Sequence, residues 1–385
     1  MAAGQEVLYM KIYNYIKELI EAGELKPGDR IPTEMELAEK FQVSRITAIR
    51  AANELEKSGY VYRVRKRGTI VNPPLLYNTY PGLSQPIIPM IVPFGDAFGE
   101  NIGFELLAGA QNEAQNRNCM LTVYNTNQDV ATERQVLEKI ADLNVFGIVS
   151  YPTDDSTYEN LSIFSRILIK NTPLVFLDRP LSLPGVPCIA SDNETGMYEL
   201  VRRLLKKGHR KLGFYCDSLA KYTVQNSRFK GFCRALIEAG IELQNQYIFE
   251  THPFGLEYDE LKRAGKTDET RENYCVARIV DRLQTMADPP SVLVCINDLS
   301  AVALQRTLIK RGLRIPEDIS ITGFDNHPVC NHLVTPLTSV SQNFYEIGKL
   351  SIQLLFDIKE GKEIQPFYCL PTQVVERESV ALLPR

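Results

Sequence analysis

No window of the 385-residue chain approaches the ~18 consecutive apolar residues that a membrane span requires. The opening residues, Met1-Ala2-Ala3-Gly4-Gln5-Glu6, lack a basic segment followed by an apolar run, so a secretory leader is not expected. Eight cysteines are present, but none forms a CxxC and no spacing pairs them. They read as reduced thiols of a cytoplasmic protein rather than as a disulfide scaffold. No Walker loop and no GxGxxG occurs, so nucleotide chemistry has no cradle. Ser191-Asp192-Asn193 copies an acylase triplet without the SxxK or KTG that must accompany it. His327, Cys330 and His332 supply three soft ligands and no visible fourth, so no metal is expected there. Nothing assembles nucleophile, base and orienter; neither an enzyme nor a cofactor is expected.

What remains is an ordinary globular composition, 44% hydrophobic and 23% charged, long enough for two to three domains. The net charge of −4 hides an asymmetry. Residues 1–76 carry twelve Lys/Arg against ten Asp/Glu, whereas the rest of the chain is acidic. Between residues 43 and 71, seven bases face only Glu54 and Glu56. A small basic head on an acidic body fits a polyanion-binding unit; a solvated charged face has the same composition.

The head reads as three helices and a hairpin. Tyr9, Ile12, Tyr13, Ile16, Leu19 and Ile20 fall at helical spacing, with Gly23 past the end. Thr33 and Glu36 form a capping box for a second helix to about Phe41. Ser44 caps a third helix through about Lys57, and Ser58-Gly59 stops it. Two short strands at 60–63 and 69–71 flank Arg65-Lys66-Arg67-Gly68. This order predicts a winged helix-turn-helix over residues 1–72. Leu25-Lys26-Pro27-Gly28-Asp29-Arg30-Ile31-Pro32-Thr33-Glu34, Val43-Ser44-Arg45-Ile46-Thr47 and Gly68-Thr69-Ile70-Val71 resemble the GntR family of bacterial regulators. The resemblance implies DNA contacts from Ser44, Arg45, Thr47 and Arg50 on the third helix. It also implies contacts from Lys66, Arg67 and Gly68 on the wing. Where that family often carries an Arg, this chain has Met35, so that contact should be missing.

Residues 73–86 are Pro-rich without amphipathic period and read as a semi-rigid linker that offers no hinge helix. From Ile87 to Arg385 strands and helices alternate, which predicts an α/β fold: doubly wound parallel sheets in two lobes. Ser191-Asp192-Asn193, Gly208-His209-Arg210, Asn297-Asp298, Gly312–Ser320 and Gly323-Phe324-Asp325 resemble the LacI/GalR regulators and the periplasmic sugar-binding proteins. A GntR-type head on a LacI-type sensor is similar to the arabinose-repressor subgroup.

By that resemblance Asp298 is the cleft acceptor for sugar hydroxyls and Arg228 the cleft donor. Asp178-Arg179 ends a strand, where ligands of parallel sheets bind. Phe98 and Phe344 are candidate ring platforms, each with core packing as the plainer alternative. The long charged segment 251–275 is expected to line or lid the cleft through Phe254 or Tyr258, or else to be a solvated loop. The chain is therefore expected to act as a cytoplasmic repressor that binds a palindromic operator as a homodimer and is released by a monosaccharide. An activator of the same architecture, a transport protein and a sugar-acting enzyme are the rival readings.

Overall fold

The computed structural model describes residues 8–64, 68–72, 85–95, 100–143, 145–153, 159–181, 183–219, 223–267 and 269–384. Among the sequence expectations, Lys66, Arg67, Phe98 and most of the linker lie outside these residues.

Helix α1 (Leu8–Glu21) lays Ile12, Ile16 and Ile20 on the inner face of α3 (Arg45–Lys57). That inner face is built from Ala48, Ala51 and Leu55, and its small side chains let the two helices approach closely. Helix α2 (Glu34–Phe41) contributes Leu37 to the same core. The Thr33 N–H donates to Glu36 Oε2 at 2.7 Å and the Glu36 N–H returns to Thr33 Oγ1 at 3.3 Å, completing the expected capping box. Gln42, at φ 52°, makes the tight turn into α3. Strands β1 (Val61–Val64) and β2 (Gly68–Val71) pair antiparallel, and Arg30 bridges Ile70 on the free edge.

The sensor begins with β3 (Ile87–Val92), α4 (Glu100–Asn116), β4 (Met120–Asn125), α5 (Val130–Ala141), β5 (Ile148–Ser150), α6 (Leu161–Ile169), β6 (Leu174–Leu177) and β7 (Cys188–Ser191). The second lobe runs through α7 (Asn193–Lys206), β8 (Leu212–Cys216), α8 (Thr223–Glu238), β9 (Ile248–Glu250), α9 (His252–Arg263) and α10 (Arg271–Thr285). It continues with β10 (Val292–Cys295), α11 (Asp298–Lys310), β11 (Ser320–Thr322) and β12 (Ser339–Ser341). The chain closes with α12 (Phe344–Lys359), β13 (Phe367–Leu370) and β14 (Gln373–Val375).

Two parallel sheets result, ordered β13-β7-β6-β5-β3-β4 and β11-β10-β8-β9. In the first, Ile88, Met90, Val92, Val175 and Leu177 face α4 and α12, while Ile91, Leu174 and Phe176 face α5 and α6. Both faces are covered, so these strands carry continuous apolar runs. In the second, Phe214, Val292 and Val294 pack on α7 and α8, and Leu293, Cys295 and Ile321 pack on α10 and α11.

The chain crosses between lobes three times. It leaves the larger sheet after β7 and returns after β12 into α12, which packs on α4. It leaves again after β13 into β14, which pairs antiparallel with β12. Helices α4 and α12 meet at reciprocal glycines. A Cβ on Gly109 would lie 1.9 Å from the Tyr345 carbonyl oxygen, and one on Gly348 would lie 2.0 Å from that of Leu106.

The segment 251–275 differs from expectation. It is neither lid nor loop but α9 and the start of α10, joined by a short turn. Pro253 suits the first turn of α9, Thr270 caps α10, and Cys275, Val276, Ile279, Val280 and Leu283 give α10 an apolar face. The Tyr258 hydroxyl donates to the Glu269 carbonyl at 2.9 Å and closes the turn.

Candidate functional site

On the head, the Ser44 hydroxyl accepts from the Thr47 N–H at 3.2 Å and lies 2.8 Å from the Thr47 hydroxyl. Both expected contact residues therefore fix the first turn of α3 by capping it. Arg45, the first residue of α3, and Arg50 are exposed. The Arg50 guanidinium stacks on the Tyr9 ring at 4.2 Å, which holds a long side chain in one orientation. Arg63 of the wing donates to Asn53 Oδ1 at 2.5 Å and tethers β1 to the outer side of α3. Gly68 opens β2 at φ 91°, a left-handed backbone conformation that favours glycine. Helix start, basic side chains and wing thus share one pinned unit. Met35, at the start of α2, is 61% exposed and, having no charge, offers no phosphate contact.

In the sensor, a cavity of about 180 Å³ opens where both lobes present the C-terminal ends of their strands. The first lobe supplies Tyr151, just past β5, and Asp178 and Arg179, just past β6. The second lobe supplies Arg228 of α8, Asn297 after β10 and Asp325 after β11. Gln342 and Phe344 enter from the second crossing.

Arg228 is 6% exposed and organises the floor. Its Nε donates to Asn193 Oδ1 at 2.8 Å, Nη1 to the Ile296 carbonyl at 2.5 Å and Nη2 to Asp325 Oδ1 at 3.1 Å. Its guanidinium lies 3.8 Å from the Phe324 ring centroid. Gln342 Nε2 adds a second donor to Asp325 Oδ1 at 2.5 Å. Burial pushes the Asp325 carboxyl up to about 7; Arg228 opposes the shift and the neighbouring Asp298 adds to it.

Asp178 sits at φ 58°, a left-handed turn that Asp tolerates, and accepts from the Tyr151 hydroxyl. Burial foremost, then the Asp178 charge, raises the Tyr151 phenol well above its usual range, so it stays a donor. Arg179 Nη1 donates to the carbonyls of Pro152, at 3.0 Å, and Thr153, and its guanidinium lies 5.3 Å from the Tyr151 ring. Behind them the buried Glu133 accepts from the Thr153 N–H at 2.9 Å and from Asn160 at 2.6 Å.

The structure thus brings Asp178, Arg179, Arg228 and Phe344 onto one cavity. It does not place two other expectations there. Asp298 is 1% exposed, with Oδ1 accepting from the Ser339 hydroxyl and Oδ2 from the His327 N–H, both at 2.6 Å. Both oxygens are engaged by internal donors, and the acids facing the cavity are Asp178 and Asp325. Phe254 packs on the second-lobe core, and Tyr258 is buried against Tyr274, so neither lines the cavity.

Sequence reasoning passed over Tyr151, Asn297, Asp325 and Gln342. Three of these adjoin residues already singled out: Asn297 precedes Asp298, Asp325 follows Gly323-Phe324, and Gln342 stands two before Phe344. Tyr151 follows the last residue of β5, and its only signal is that strand end.

Residues 8–71 match the model for bacterial regulatory proteins of the gntR family. Residues 103–254 match periplasmic binding proteins and the sugar binding domain of the LacI family, and residues 201–380 a periplasmic binding protein-like domain. The arabinose metabolism transcriptional repressor of Geobacillus stearothermophilus is 26% identical over 92% of both chains. The HTH-type transcriptional repressor PurR of Aliivibrio salmonicida is 30% identical over 72% of this chain and 77% of its own. Among solved structures, a LacI family transcriptional regulator from Enterococcus faecium with bound ribose superposes with a TM-score of 0.62 at 22% identity. It covers 77% of this chain and all of that one.

Proposed function

Because the chain belongs to the bacterial transcriptional regulators and joins a gntR-type head to a LacI-type periplasmic-binding-protein-like sensor, we propose that it is a repressor released from a palindromic operator by a monosaccharide. A homodimer presents two heads to two half-sites, as operator symmetry requires. The observation that carries the effector reading is the cavity itself. Two carboxylates, two guanidiniums and side-chain amides converge beside Tyr151 and Phe344. Adjacent sugar hydroxyls need paired acceptors and donors, and ring C–H groups need an aromatic face.

Asp178 and Asp325 accept, Arg228 and Arg179 donate, and Phe344 covers a sugar face. Arg228 also holds Asn193, at the first crossing, and shares Asp325 with Gln342, at the second. A ligand that draws Arg228 or Asp325 into new bonds therefore acts directly on the segments about which the lobes move. The similarity of 92% of the chain to a repressor of arabinose metabolism supports testing aldopentoses first.

The test is a thermal-shift screen of the full-length protein against aldopentoses and aldohexoses. One sugar should raise the midpoint, by mass action on the folded state, and Arg228→Ala should abolish the shift. No shift with any sugar, or an undiminished shift in Arg228→Ala, would contradict the assignment.

A further inference from the structure

The outer side of α3 has an unusual centre. Its inner side is Ala48, Ala51, Ala52 and Leu55, all buried. At 100° per residue the direction opposite these four is occupied by Ile46, Arg50 and Asn53, one turn apart. Ile46 is 78% exposed and lies in the first turn, the end that a recognition helix inserts deepest into a groove. Arg45 and Arg50 flank it, and the Ser44–Thr47 cap holds the turn. Single exposed aliphatic residues also occur elsewhere, Ile169 and Ile237 among them, but Ile46 is set apart by its place in the first turn beside Arg45 and Arg50, where an apolar side chain serves no phosphate contact.

The major groove has one apolar feature among its base edges, the 5-methyl group of thymine. We infer that Ile46 reads a thymine methyl in each operator half-site, between base pairs contacted by Arg45 and Arg50. This deepens the operator-binding reading and rests on it. The specificity is for T·A over C·G at one position: cytosine carries hydrogen in place of the methyl at C5 and an amino donor in place of O4. Met35, equally apolar, begins α2 rather than the groove-entering helix and has no part in the assignment.

The test begins by selecting bound duplexes from a random-sequence pool with the full-length protein. Deoxyuridine then replaces thymidine, one position at a time, in the enriched sequence. One position per half-site should lose about fourfold in affinity, the value of one buried methyl group. In Ile46→Ala that position should bind thymidine and deoxyuridine alike, while its guanine preferences stay those of the parent. Ile46 contributes nothing to the core, so an unchanged melting midpoint verifies that the variant is folded. Enrichment with no methyl-sensitive position, or the same sensitivity in Ile46→Ala, overturns the inference alone. A pool that yields no enriched sequence overturns the operator-binding reading as well.

Discussion

Asp325 is a cavity acid whose environment strongly favours one of its two protonation states. Burial favours the neutral acid, and only Arg228 among its charged neighbours supports the carboxylate; Asp298 and Asp178 both oppose it. A folded-state value near 7, against roughly 4 in the unfolded chain, means the native state holds a proton that the unfolded state has released. The stabilising effect is complete below about pH 4 and is lost as pH rises to 7. Chemical denaturation of the sugar-free protein and of Asp325→Asn should therefore show the parent losing stability relative to the variant across that window. Parallel profiles would mean that Asp325 ionises normally. Residue identity at the cavity was only partly legible in the sequence. Arg228, Asp178, Arg179 and Phe344 stood out because they follow strand ends or recurrent wording. Asp298 misled because its motif gives its place at the head of α11 but not the direction of its oxygens. That direction depends on Ser339 and His327, which are 41 and 29 residues away.

At the scale of elements, the head was almost fully legible because its signals are local. A capping box, an N-cap serine and a glycine-led strand each act within a few residues. The sensor strands were legible for a similar reason: burial on both faces makes them uniformly apolar. The 251–275 segment was not. Its charged residues suggested a solvated loop, but they pair between elements, Arg271 with Asp259 at 3.5 Å and Arg278 with Glu257 at 3.7 Å. Gly255 leaves room for the Arg271 guanidinium, whose Nη2 lies 2.1 Å from where a Cβ would stand, between α9 and the head of α10. The recognition helix gives an element-scale prediction. Ser44→Ala should cost about 1 kcal/mol of head stability through loss of the cap, with operator contacts otherwise retained. Arg45→Ala and Arg50→Ala should leave stability within ~0.5 kcal/mol and weaken operator binding instead. Melting and fluorescence anisotropy on the same three variants separate the two roles; equal losses of stability in all three would contradict the division.

The whole molecule joins a DNA-reading head to a cleft through a chain that passes three times between lobes. Two of those passages touch the cavity floor, at Asn193 and Gln342, so effector chemistry and lobe geometry share the same hydrogen bonds. Topology of this kind was only partly legible. Strand–helix alternation gives parallel sheets, but which strands share a sheet depends on the long-range pairing of β13 with β7 and of β14 with β12. Among the described residues no helix is long and apolar enough to cross a membrane. Release of the operator requires the sugar to favour the DNA-incompetent arrangement, with a coupling of about 1–3 kcal/mol. The most direct measurement is the dissociation constant of the selected operator duplex at rising concentrations of the sugar that raises the melting midpoint. The account predicts a rise of roughly 5- to 150-fold that saturates, and no rise in Arg228→Ala. A sugar that stabilises the protein yet leaves the operator constant unchanged at saturation would contradict it.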